Sequence, residues 1–97
     1  MTISDIRIRK TFPEGKLKAI VSVTIDDCLA IHDIKIIQSN DRIFAAMPSR
    51  KDENGIFRDI IHPIDPKTRG EMEEAIISAY ERYVEIEKIM NAKEDKA

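Results

Sequence analysis

From Leu17 to Asp26 the chain reads Leu-Lys-Ala-Ile-Val-Ser-Val-Thr-Ile-Asp. Leu17, Ala19, Val21, Val23 and Ile25 fall on one side of an extended chain, while Lys18, Ser22, Thr24 and Asp26 fall on the other. A period of two over this length predicts a strand with one face in a core and one toward water. A helix would instead gather residues three and four apart, which this stretch does not offer. The chain therefore needs a sheet, and something to cover its apolar side.

The neighbouring segments extend the pattern. In Ile3 to Phe12, Ile6 and Ile8 alternate with Arg7 and Arg9, and Pro13-Glu-Gly-Lys16 has the chemistry of a turn. Asp26-Asp27 marks a reversal. In Leu29 to Ile37 the apolar phase changes from odd (Leu29, Ile31) to even (Ile34, Ile36). One strand can hold both phases only through a bulge near His32-Asp33. Ser39-Asn-Asp41 is a turn, and Arg42 to Met47 a short apolar strand. Asn54-Gly55 signals a hairpin, with Ile56 to Ile61 as the last strand before His62-Pro63.

Beyond Pro63 the period changes. Met72, Ala75, Ile76, Ala79, Tyr80 and Tyr83 recur at helical spacing. Two starts fit: Asp65-Pro66 as cap and first-turn proline, or the capping box Thr68-Arg-Gly-Glu71. The helix is expected to run to about Met90. The reading is one α+β domain over residues 1–90, with about five antiparallel strands followed by one long C-terminal helix and a frayed tail over 91–97. One helix cannot protect every face and edge of a sheet, so self-association as a homodimer is expected.

The chemistry of catalysis is sparse. His32 and Asp33 are adjacent, hence on opposite sides of a strand, and His62 precedes a proline. Two isolated histidines reach no metal-site spacing, and three glycines form no phosphate loop. Cys28 follows two aspartates, which disfavour the thiolate, and a lone cysteine fits a reducing compartment. Neither export nor membrane spanning is expected, and the expected location is cytoplasmic. The expectation is a protein that is not an enzyme and takes no metal or cofactor.

Charge is more telling. The net charge of -2 divides into +3 over residues 1–25, -2 over 26–46, +1 over 47–70 and -4 over 71–97. The total does not advertise a nucleic-acid binder, so such binding would need a local basic face. Candidates are Arg50 and Lys51 at the hairpin, Arg58 in the return strand, Lys67 and Arg69 at the helix start, and Arg7, Arg9 and Lys10 on the first strand. On spacing alone, a solvated surface and a phosphate-binding face both fit. Asp52, Glu53 and Asp59 could neutralise part of the cluster.

Several segments together resemble the SpoVG (stage V sporulation protein G) family. They are Asp5-Ile-Arg-Ile-Arg9, Lys18 to Asp27, Ile31-His-Asp-Ile-Lys-Ile-Ile37, Phe44-Ala-Ala-Met-Pro-Ser49, Phe57-Arg-Asp-Ile-Ile-His-Pro-Ile64 and Thr68-Arg69. The resemblance runs in order to about residue 83. It implies a small cytosolic bacterial regulator linked to septation and sporulation, dimeric and binding DNA, with RNA as a second nucleic-acid partner. It places nucleic-acid contacts at the basic pair Arg50-Lys51, with Arg58, Lys67 and Arg69 as further candidates. The chain has Arg-Lys where relatives often have Lys-Arg, adds Asp52-Glu53 beside the pair, and starts its helix with an atypical Pro66-Lys67. The alternative is a protein-interaction module of the division machinery that binds no nucleic acid.

Overall fold

The computed structural model describes residues 2–95, with side chains described through Met90. The described residues form β1 (Ile3–Thr11), β2 (Leu17–Ile25), β3 (Leu29–Ser39), β4 (Arg42–Ala46), β5 (Ser49–Lys51), β6 (Phe57–Asp59) and α1 (Pro66–Asp95). This is an α+β architecture of antiparallel strands followed by one long helix. The strands divide: β1-β2-β3-β4 make one sheet in sequence order, and β5-β6 make a separate two-stranded arm. Pro48 lies between β4 and β5 and has no N–H to give a ladder, which marks the break.

The alternation in β2 is realised. Ala19, Val21, Val23 and Ile25 are buried, joined by Ile31, Ile34 and Ile36 of β3 and Ala45 of β4. The phase change in β3 is a bulge at the expected place. Val21 pairs with Ile34 and Val23 with Ile31, so Ser22 faces both His32 and Asp33. Asp33 takes the extra residue's conformation with φ 64, which aspartate tolerates better than most side chains. The bulge keeps Ile31, Ile34 and Ile36 on one face.

The turns follow from polar residues that accept positive φ. Asp26 and Asp27, at φ 51 and 55, reverse the chain as in a type I′ turn, closed by Cys28 N–H donating to the Ile25 carbonyl at 3.1 Å. Asp26 Oδ1 also accepts from the Thr2 amide at 2.8 Å, which fixes the start of β1 to this turn. Asn40, at φ 57, turns β3 into β4.

The helix starts at Pro66, so the Asp65-Pro66 signal prevails over the Thr68 capping box. Asp65 Oδ1 accepts from the Thr68 amide and Oδ2 from its hydroxyl, both at 2.8 Å, so Thr68 serves the cap instead of being one. These two bonds hold the Asp65 carboxyl below its ordinary pKa, the amide bond foremost. Met72 and Ile76, four apart, are buried against the sheet, with Tyr80 half-buried one turn on. Each fully buried aliphatic side chain contributes about 1.5–3 kcal/mol. The helix touches both edge strands, β1 and β4, and so lies across the sheet. Its far part is tied by Thr11 Oγ1, 3.4 Å from Glu87 Oε2. Desolvation, with Glu87 as a lesser cause, raises the Tyr80 hydroxyl pKa.

The helix is described to Asp95, past the expected end near Met90. The expected fraying of 91–97 concerns side chains, and for 96–97 also a backbone, outside the described residues. Past Tyr80 the helix leaves the core, and Tyr83, Ile86, Ile89 and Met90 are exposed. Among the described residues no helix is long and apolar enough to cross a membrane.

Candidate nucleic-acid interface

The arm is short, and every residue of its two strands is exposed. Something other than burial must fix its shape. Asp52 supplies it. Its Oδ1 accepts from the amides of Asn54 at 2.9 Å and Ile56 at 3.0 Å, and its Oδ2 accepts from Arg58 Nε at 2.8 Å. Its backbone closes the same turn: Asp52 N–H donates to Ile56 O at 2.9 Å, and Gly55 N–H donates to Asp52 O at 3.0 Å. Gly55 sits at φ 79, as the Asn-Gly signal required. Arg58, then the Ile56 amide, holds the Asp52 carboxyl below its ordinary pKa. At the arm's root, Ile60 N–H donates to Pro48 O at 2.8 Å.

Register decides which side chains share a face. Arg50 pairs directly with Arg58 and Lys51 with Phe57, while Ser49 pairs with Asp59. Arg50 and Arg58 therefore stand side by side on one face of the ribbon, and Lys51 and Phe57 on the other. Like charges directly opposed across a ladder repel, and Asp52 offsets only Arg58. Arg50 has no ion-pair partner among the described residues. Arg50, Lys51 and Arg58, with Asp52, Glu53 and Asp59, line an open groove of about 420 Å³.

The five candidate residues thus separate. Arg50, Lys51 and Arg58 meet on the arm, and the basic pair lies on a strand of the hairpin, not in its turn. Lys67 and Arg69 lie in the first turn of α1, exposed, and do not line that groove. Asp52, which looked like a neutralising neighbour, is the arm's organising residue. Its spacing to Asn54 and Ile56 was the available signal, since aspartate commonly bonds amides two residues on.

A second polar group was not foreseen. On the sheet face opposite the helix, Arg9 Nε donates to Ser22 Oγ at 3.1 Å, and Ser22 Oγ lies 2.9 Å from His32 Nδ1. The hydroxyl accepts from Arg9 and can donate to the imidazole. Ser22 is 7% exposed because the side chains it bonds cover it. His32 is thus satisfied by a neighbour across the ladder. His62 Nδ1 donates to the adjacent Pro63 carbonyl at 3.0 Å. Among the described residues no three His, Cys, Asp or Glu side chains are grouped to hold a metal ion.

A helix-backed antiparallel sheet bearing an exposed basic arm defines a small α+β domain whose distinctive chemistry lies outside its core. The SpoVG family model matches residues 1–82. Three similar proteins each carry the name "Putative septation protein SpoVG". That of Acetivibrio thermocellus is 54% identical over 81 residues, covering 84% of this chain and 86% of the relative. Those of Desulforudis audaxviator and Alkaliphilus oremlandii are each 52% identical, covering 84% and 90% of this chain and 92% and 94% of the relative. The chain belongs to the SpoVG family.

Proposed function

We propose that this protein is a cytoplasmic regulator of septation and gene expression that acts as a dimer by binding nucleic acid, DNA and also RNA, through its basic arm. The observation that carries the reading is the direct apposition of Arg50 and Arg58 across the β5-β6 ladder, with Lys51 beside them. Of these two guanidinium groups on one face only Arg58 has a carboxylate partner among the described residues, so a phosphate would supply the anion that Arg50 lacks and suits its fork geometry. Lys67 and Arg69 would add a second, separate cationic patch at a helix N-terminus, where the dipole also favours anions. The septation role comes from the names of the relatives. Self-association would cover the sheet face that α1 leaves open, on which Ile20, Ile37 and Phe44 are half-buried.

On this reading the domain works by binding rather than by catalysis. A gel shift across a salt series tests the reading. Log affinity should fall with log salt, and Arg50→Ala/Lys51→Ala should flatten that slope by roughly two units per bound copy. The second reading, a protein-docking module, is favoured by the -4 charge of residues 71–97. Absence of any retardation at low salt would leave that one standing.

A further inference from the structure

The arm's second face carries an aromatic ring that the phosphate-binding reading does not use. Phe57 is 69% exposed, although it stands on a strand between Ile56 and Arg58. Its cross-strand neighbour is Lys51, whose Nζ lies 5.7 Å from the ring centroid. Asp59 shares this face at the arm's root, opposite Ser49. The turn is fixed by Asp52 and Gly55, so the strand that carries the ring is held in a set position.

A large exposed ring beside a cation, with two arginines on the other face of the same ribbon, suits a particular ligand. The cations hold the phosphates of one strand, and the ring takes the flat face of a base from that strand. The geometry points to Phe57 as a base-stacking residue, with Lys51 against the ring in the same site, and hence to single-stranded nucleic acid as the arm's preferred ligand. A duplex keeps its base faces stacked on one another and offers the ring nothing to stack on, whereas every unpaired base has an open π-face. This rests on the nucleic-acid reading above and adds to it a residue and a strand preference.

The chain has no tryptophan, so Phe57→Trp introduces a single indole reporter. Binding of the full chain to an unstructured oligothymidine and to a duplex of equal length is followed by fluorescence anisotropy at low and moderate salt. Phe57→Leu, which keeps an apolar side chain but no π-face, should weaken the single-strand complex by about 5- to 150-fold. Its salt slope should stay unchanged, because no phosphate contact is lost. Duplex binding should shift little. In Phe57→Trp, single-strand affinity should be retained, and indole emission should be quenched in step with oligothymidine binding.

Equal single-strand affinity of wild type and Phe57→Leu, with a normal salt slope, overturns the stacking site and leaves the basic arm intact. Failure of wild type to bind either oligonucleotide at low salt overturns both. Sedimentation decides the remaining case. If Phe57→Leu shifts the monomer–dimer balance, or the indole emission of Phe57→Trp follows protein concentration instead of oligonucleotide, the ring belongs to self-association and the proposal is wrong.

Discussion

Arg58 Nε and Asp52 Oδ2 stand 2.8 Å apart, and that contact joins the arm's shape to its charge. The Asp52 side chain is 25% exposed where Arg58's is 70%. The carboxylate is enclosed by the turn it organises, and the guanidinium remains open to solvent. The acid beside the basic pair is thus a structural element that also holds one of the three arm cations in place.

Asp52→Asn separates the two roles. The amide oxygen can still accept from Asn54 and Ile56, so the turn should persist, while the charge on Arg58 is released. Nucleic-acid affinity should rise at low salt, with a salt slope steeper by about one unit. Titrations at several salt concentrations check this, and an unchanged slope would mean that Arg58 faces no phosphate.

Acid should loosen the arm and the helix start before the sheet. Asp52 and Asp65 both hold their carboxyls below the ordinary value, Asp52 chiefly through Arg58 and Asp65 chiefly through the Thr68 amide. Below that value the unfolded chain binds more protons than the folded one, so acidification favours unfolding. The contribution is complete above about pH 4 and is lost as pH falls through the depressed values. Protection from amide exchange, taken relative to the intrinsic rate at each pH, should fall first at Asn54, Ile56 and Thr68, which NMR can follow residue by residue.

The β3 bulge makes its own prediction. Asp33, at φ 64, should accept glycine without loss. Asp33→Val should be less stable than Asp33→Gly by about 1–2 kcal/mol, since a β-branched side chain is strained there. Urea denaturation of the two variants measures the difference. Equal stability would mean that the bulge moves elsewhere along the strand.

The helix–sheet contact rests on few residues. Ile76 is completely buried, and Ile76→Ala should cost about 2–5 kcal/mol. Ile64, 90% exposed at the helix entrance, should tolerate Ile64→Ser within about 0.5 kcal/mol. The same denaturation experiment reads both, and a large loss at Ile64 would show that this residue is covered in solution.

Much of this architecture is legible from periodicity because burial acts residue by residue. The alternation of β2, the switch of phase at His32-Asp33 and the helical stripe through Met72 and Ile76 each have a local cause. What was not legible depends on register. Nothing in the order of residues places Arg9, Ser22 and His32, from three strands, in one chain of hydrogen bonds. The pairing of Arg50 with Arg58 likewise appears only once the arm's ladder is known. Separation of the arm from the main sheet was signalled by Pro48 alone, a residue equally compatible with a sheet edge. The two helix starts were chemically equivalent on paper, and the Thr68 hydroxyl decided between them by turning toward Asp65.

Because neither strand of the arm buries a residue, the core imposes no steric demand on what those strands carry. The requirements are narrow: an acceptor at Asp52, freedom of φ at Gly55, and the Pro48 carbonyl for Ile60. Everything between can be rewritten without refolding the sheet. If the arm grips nucleic acid as proposed, proteins that share this scaffold are free to diverge in which strand or sequence they take without a change of fold, and exchanging the arm's strand residues between two relatives should carry the preference across with it.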